Sequence, residues 1–355
     1  MARTRHTRCG RRQCRQLLCG GKSPCHTATL LLHAGAVMNR RPQPAFANGT
    51  PVRLHQNGFT LVELLISITL GIVVIGAMLV MYVTGAAATR YAAAQGQMNE
   101  DAQMALSVIT QELRKAGYNP RRPTGPTSTA VNDLGQGGWG LFACPNGFTD
   151  NTALLVSGLT CNAGGSGGAL AVVSESDLVS GRNTAGNLPM DCIGNGIVAQ
   201  GVSIAGGNYY TAQSRLYIAN NALTCLGSGG ALPRLTLNQV PQVLAENIES
   251  MTFLFGIGSA ADNKVVQGYY SATDINGAPA DATFAALTAL ERWKKVVAAR
   301  VCVVVVSEAP ILRDTESAPS YRDCNDNVVA IADGRLRRAY RTTVLLRNHG
   351  VGFND

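Results

Sequence analysis

The sequence predicts an α+β protein in which one long N-terminal α-helix packs on a mainly antiparallel β-sheet head. Three observations point there. Residues 64–89 are a 26-residue run without a charge. Residues 98–116 continue it with apolar side chains at steps of three and four. Beyond Gly117 the apolar residues fall in short β-branched segments bounded by Gly, Asn or Pro.

The chain has 355 residues, 46% apolar and 15% charged, enough to bury a sizeable core and too apolar for a disordered chain. Its 39 Gly and 6% aromatic residues suit a loop-rich β component. The net charge of +8 is misleading until it is located. Residues 1–58 carry ten of the 30 Lys and Arg and no Asp or Glu, so 20 basic residues face 22 acidic ones in 59–355, a formal −2. The basicity belongs to the leader, which argues against a nucleic-acid-binding body. Four of the five His (His6, His26, His33, His55) also lie in the leader, and only His349 follows. Ser-His-Asp, Cys-His and multi-His metal sites lack raw material in the body. No catalytic residue, metal or cofactor is expected, and the chain reads as a non-enzyme.

The first element is the apolar run, Leu64 to Thr89. It is long enough to span a bilayer, which takes about 20 apolar helical residues, and longer than a secretory h-region. Basic residues precede it and the next one is Arg90, so the positive-inside tendency puts the leader in the cytoplasm and exports the rest. Glu63, at the mouth of the run, breaks the pattern, because a carboxylate near hydrocarbon costs a few kcal/mol unless it is interfacial or paired.

The string Gly58-Phe59-Thr60-Leu61-Val62-Glu63 supplies a partner if the chain is cut after Gly58. Phe59 then carries a free or methylated α-amine four residues before Glu63. This string, a basic leader before it and an apolar helix after it resemble the class III signal peptide of type IV prepilins. The resemblance implies cleavage after Gly58 by prepilin peptidase, an N-methylated Phe59, and Glu63 as the assembly residue that pairs with a neighbouring subunit's amine. It divides the chain into an over-extended start or unstructured region (1–37), a class III leader (38–58), a long helix (59–117) and a periplasmic β-rich head (118–355). Residues 59–89 are the transmembrane and assembly half of the helix and 90–117 its amphipathic half. Cys9, Cys14, Cys19 and Cys25 could form a zinc knuckle with nearby His, but their spacings match no standard pair.

In the amphipathic half, Met98, Ala102, Leu106, Ile109, Leu113 and Ala116 form one apolar face, with Glu100, Asp101, Gln103, Glu112, Arg114 and Lys115 between them. Gly117 and Pro120 stop the helix, and Arg114 and Lys115 suit its negative end. From Phe59 to Ala116 it would be roughly 85–90 Å long. Gly71, Gly76, Gly85 and Gly96 weaken it by ~1 kcal/mol each and mark a stretch able to bend or melt.

Strands are expected at 169–173, 214–218, 250–255, 296–306 and 340–346, and a short helix at 282–291. In the fourth strand Val297, Ala299, Val301, Val303 and Val305 should face the helix, with Arg300 and Cys302 opposite. Six cysteines remain (Cys144, Cys161, Cys192, Cys225, Cys302, Cys324), an even number suited to disulfides in an oxidising periplasm. Sequence alone leaves the connectivity open. Nearest-neighbour closure is the expectation, each bridge adding about 3 kcal/mol in the chain-entropy estimate.

Three motifs are weighed against plainer readings. Gly164-Gly165-Ser166-Gly167-Gly168 satisfies G-x-S-x-G but sits in a Gly-rich loop without a His. Asp274-Ile275-Asn276-Gly277 with Asp281 resembles the start of a Ca²⁺ loop, and an Asx-type turn is the expectation. Arg335, Arg337, Arg338 and Arg341 read as a charge-blunted strand edge, with Arg338 on the opposite face from Arg337 and Arg341.

The head extends the resemblance to PilW-type minor pilins, through Asp191-Cys192-Ile193-Gly194, SRLYIANNALTC at 214–225, NIESMTFLFGIG at 247–258, Trp293-Lys294-Lys295-Val296-Val297 and RRAYRTTVLLRN at 337–348. It implies the type IV pilin fold and a minor pilin that primes or caps pilus assembly, hence a role in twitching motility, adhesion or DNA uptake. The implied partners are other minor pilins, the major pilin, prepilin peptidase, the inner-membrane assembly platform and, before assembly, lipid. The implied location is the inner membrane, single-pass, then the pilus tip or cell surface. A GspJ-like minor pseudopilin of a type II secretion system shares this plan. An uncleaved membrane-anchored periplasmic protein is the alternative from another class.

Overall fold

In the computed structural model one α-helix, α1, runs from Leu61 to Lys115. The structure describes residues 58–119, 122–123, 129–130, 138–165, 167–176, 186–199, 201–202, 208–230, 237, 240–259, 265–277, 282–312 and 319–348. The chain divides into two compact units, Met1–Ile66 and Ser67–Asp355. The leader, the zinc-knuckle cysteines, Ser166, Asp281 and His349 lie outside the described residues.

Five strands, β1 (Leu141–Cys144), β2 (Ala169–Ser176), β3 (Asn208–Ala219), β4 (Ala222–Gly227) and β5 (Gln242–Ala245), pair antiparallel in that order, and Gly201–Val202 adds a short sixth against β3. Asn220 and Asn221 both take positive φ, 52° and 56°, as the tight turn between β3 and β4 requires. The second sheet contains β6 (Ile248–Gly258), β7 (Val266–Ser271), β8 (Val296–Val306) and β11 (Arg337–Leu345), in the order β7-β6-β8-β11, all antiparallel. Between β8 and β11 a small hairpin is formed by β9 (Ser320–Arg322) and β10 (Val328–Ala330).

The second half of α1 lies in the core because its apolar residues recur with the helical period. Met98, Ala102, Ala105, Ile109, Leu113 and Ala116 are buried in one cluster with Ala299, Val301, Val303 and Val305 of β8 and Phe253 and Phe255 of β6. Leu106, expected at the centre of that face, is only partly buried, and Ala105 takes its place. Glu112 is also buried, where an exposed charge was expected. It is neutralised one turn away by Lys115 Nζ, 2.7 Å from its carboxylate. Gly117 ends the helix with φ 68°, and its N–H donates to Val173 O at 2.9 Å, tying the helix end to β2.

The alternation expected for β8 holds from Ala299 to Val305 and fails at its start. A register shift between Val296 and Ala298 leaves Val297 without a partner in β6. The bulge reverses the faces locally, so Val296, not Val297, joins the core cluster. The two sheets meet at Gly168, whose N–H donates to Met251 O at 2.8 Å. A Cβ there would lie 2.3 Å from that same oxygen, so the approach needs glycine.

The helix expected over 282–291 is two pieces, α3 (Ala282–Ala285) and α4 (Ala289–Lys294), preceded by α2 (Ala272–Asn276). α2 corrects the reading of Asp274 as part of a Ca²⁺ loop or an Asx turn. Ser271 caps the helix, and Asp274 accepts from the Ser271 backbone N–H at 2.9 Å in a capping box. Thr288 and Glu291 repeat the device on α4. Arg292 and Trp293 then clamp these short helices to the sheets. Arg292 Nε donates to Ile275 O at 2.7 Å, its Nη1 donates to Leu287 O, and Trp293 Nε1 donates to Asn276 Oδ1 at 2.8 Å. The Trp293 ring packs edge-on against Phe255, with centroids 4.8 Å apart.

Candidate assembly site

The segment around Gly58 is built from one local device. Thr60 stands just before α1, and its hydroxyl oxygen accepts the Glu63 N–H at 3.2 Å while its carbonyl accepts from Leu64 N at 3.2 Å. Thr60 is therefore the N-cap of α1, satisfying N–H groups that the first turn leaves without helical partners. Glu63 is the acidic residue of that first turn, where the positive end of the helix dipole favours a carboxylate. Gly58, Phe59 and Glu63 are all exposed, Phe59 at 83%. The T-x-x-E spacing that announces an N-cap was present in the sequence, and the sequence reading missed Thr60.

The first half of α1 has an apolar surface all round. Leu61, Val62, Leu64, Leu65, Ile66, Ile68, Leu70, Ile72 and the following Val, Ile, Met and Leu residues to Val83 are exposed. An 18-residue window of this helix is apolar enough to cross a membrane and has no buried residue. Such a surface is stable in lipid or against other apolar helices and not in water. Around Gly71, Gly76, Gly85 and Gly96 no atom comes within 4 Å of an added Cβ.

The other half is fastened to the head by polar contacts as well as by the core. Asn247 Nδ2 donates to Asp101 Oδ2 at 2.9 Å, and Asn348 Nδ2 donates to Arg114 O at 2.8 Å. All six body cysteines are joined, as Cys144–Cys161, Cys192–Cys225 and Cys302–Cys324. The last bridge ties the β9–β10 hairpin to the outer face of β8, and Val304 and Val306 on that face are buried.

The arginines of β11 divide as alternation requires. Arg337 pairs with Glu249 at 2.7 Å and with Asp333 at 2.6 Å, and Arg341 pairs with Asp326 at 2.7 Å. These two share a strand face. Arg338 instead lies with its guanidinium carbon 5.7 Å from the Tyr340 ring centroid. The hydrogen bonds from Arg337 hold the Asp333 carboxyl well below the usual carboxylate range. Asp191 goes the other way. Its burial pushes the pKa up, although its oxygens accept from the backbone N–H groups of Ile193, Asn195 and Gly229. Among the described residues no group of three or more His, Cys, Asp and Glu could hold a metal ion.

The profile of PilW, Type IV Pilus-assembly protein W, matches residues 208–348, and that of the prokaryotic N-terminal methylation motif matches residues 53–79. No curated protein matches the sequence. Among solved structures, the chain is similar to the type IV-like pilin TTHA1219 from Thermus thermophilus, at 12% identity and TM-score 0.30, over 72% of this chain and 98% of that one. It is also similar to a chain of the GspK-GspI-GspJ complex of the enterotoxigenic Escherichia coli type 2 secretion system, at 12% identity and TM-score 0.27, over 71% of this chain and 98% of that one.

Proposed function

We propose, from the premise that this chain is a type IV pilus minor pilin of the PilW family, that it is made as a prepilin, cut after Gly58, N-methylated on Phe59 and built into the pilus at or near its tip. The observation that carries the reading is the division of α1. Leu61–Val83 exposes apolar side chains, while the Met98–Ala116 stretch is packed into the head. One helix thus offers a lipid-soluble half and a head-bearing half, as a subunit moving from membrane to filament needs.

In this reading Glu63 acts as the registration charge. Cleavage turns the Phe59 amide nitrogen into an ammonium, and both that ammonium and the Glu63 carboxylate are costly in hydrocarbon. Pairing the amine of one subunit with Glu63 of the next removes both costs at one relative height of the two helices. The apolar surface of α1 then exchanges lipid for neighbouring helices. The chain serves as a structural subunit and not as a catalyst. Its partners are other minor pilins, the major pilin, prepilin peptidase and the inner-membrane assembly platform, and its head faces the periplasm before assembly. Priming of the filament, and through it twitching, adhesion or DNA uptake, is the consequence proposed for the cell.

Mass spectrometry of the N-terminus, in envelope and sheared surface fractions from cells with and without prepilin peptidase, tests this. A peptide starting at methylated Phe59 in the sheared fraction is the expected result. The same peptide confined to the envelope favours a pseudopilin of a secretion system. An N-terminus at Met1 or Met38 in both strains overturns the reading.

A further inference from the structure

Strand β3 carries a row of buried polar side chains. Thr211, Gln213 and Arg215 alternate along it and share one face. All three are buried, Arg215 completely, at 0% exposure. β3 is an interior strand, and Arg215 lies between Ala171 of β2 and Leu226 of β4. Gln213 Nε2 donates to Leu154 O at 3.2 Å, seating the loop closed by Cys144–Cys161 on this face. Five atoms of the row have no hydrogen-bond partner: Thr211 Oγ1, Gln213 Oε1 and Nε, Nη1 and Nη2 of Arg215. Arg215 takes part in none of the ion pairs among the described residues.

Burial pushes the Arg215 pKa down, to about 9, which still leaves the group charged near neutral pH. A sealed charge without a counter-charge costs several kcal/mol, and each idle buried donor adds to that. An amine could shed its proton, but a guanidinium in a protein does not. The neighbours Ala171 and Leu226 offer no acceptor from their side chains. The buried carboxylate of this face, Glu175, stands opposite Thr211, four residues along the strand from Arg215, and the guanidinium has no hydrogen bond to it, so the missing charge falls to a counter-ion enclosed with the fold.

We propose that Arg215 holds a small monovalent inorganic anion of chloride size, enclosed between β3 and the Cys144–Cys161 loop. Gln213 Oε1, two residues from Arg215 on the same face, is an idle acceptor for guanidinium N–H groups that the anion leaves over. An anion bound only in the folded state stabilises it by mass action. This site does not depend on the pilus assignment.

The test is thermal unfolding of the full chain in detergent, at constant ionic strength, with gluconate replaced stepwise by chloride. The expected result is a saturating rise in the midpoint of roughly 2–4 °C, the size produced by about 1 kcal/mol in a chain of this order. Bromide should act like chloride, and sulfate should not. Arg215→Met should remove the response. An absent response in the wild type, or an equal one in Arg215→Met, overturns the site. Should Arg215→Met fail to fold, chloride NMR on the wild type decides. A broadened resonance that narrows on adding bromide supports the site, and an unbroadened one overturns it.

Discussion

The hydroxyl of Tyr340 donates to Asn99 Oδ1 at 2.6 Å, fastening β11, an edge strand of the second sheet, to the half of α1 that packs on the head. Strand alternation places Tyr340 on the same face as Thr342 and Val344, toward α1, and away from Arg341. Tyr340→Phe keeps the ring and deletes the bond. A loss of about 0.5–1 kcal/mol is expected, because the bond is exposed. Denaturant unfolding of the full chain in detergent checks it, and an unchanged midpoint would mean that the contact contributes nothing to docking.

Gly168→Ala should be far more costly than its single methyl suggests. The added Cβ meets Met251 O at 2.3 Å, so either the backbone bond from Gly168 to Met251 breaks or the sheets separate. Overpacking of this kind costs about 1–3 kcal/mol. A variant as stable as the wild type would show that the two sheets yield at this point.

Replacing Cys302 and Cys324 together with Ala reopens a loop of 22-residue separation. The chain-entropy estimate puts the loss at about 3 kcal/mol. Limited proteolysis should find new cuts in the β9–β10 hairpin and leave β8 intact. Cleavage spread evenly over the head would instead assign the bridge a global role.

Asp191 gives a pH dependence with a definite sign. Its carboxyl pKa is raised above the ordinary carboxylate value, chiefly by burial. A raised pKa means that the folded state holds the proton more tightly than the unfolded state. Its contribution is therefore fully present below the unfolded pKa and is lost as pH rises through the folded one. Asp191→Asn costs stability at acid pH, since its amide cannot accept from Gly229 N–H as Oδ2 does. The stability difference should nevertheless move in favour of Asp191→Asn as pH rises from about 3 to about 7. Paired melting curves across that range measure it, and a constant difference refutes the shift.

Glu63→Ala should block incorporation into sheared filaments while leaving the melting of the head unchanged, since Glu63 is exposed and lies far along the chain from the core residues of α1. Quantifying the subunit in sheared and envelope fractions decides. Wild-type levels in the sheared fraction would remove Glu63 from assembly.

What could be read in the sequence was what local chemistry alone decides. The helix was legible because its apolar spacing never changes period between Met98 and Leu113, and β8 because seven of its eleven residues are Val, a density of β-branched side chains that suits little else. Strand β5 was not, since its Gln242 and Val243 are exposed on a short edge and carry no alternation. The bulge at Val297 arises from register with β6, which residue pattern does not encode. Arg215 looked like any charged residue in a strand, and its burial depends on tertiary packing over β3 that residue pattern does not encode. At the candidate assembly site, Gly58, Phe59 and Glu63 stood out by motif. Thr60 did not, because a hydroxyl three residues before a carboxylate becomes a cap only once the helix begins between them.

The three disulfides close loops inside the head, and α1 contains no cysteine. Tension applied along α1 therefore reaches the head only through the main chain beyond Lys115 and through a non-covalent seam. That seam runs from Met98 to Ala116, with β8 held on both sides by β6 and β11. Under a steady pull the seam is the part that can slip, while each stapled loop keeps its shape. A head held in this way can have its grip on the helix tuned by single core residues, with Ile109 the first to try, without altering its outer surface.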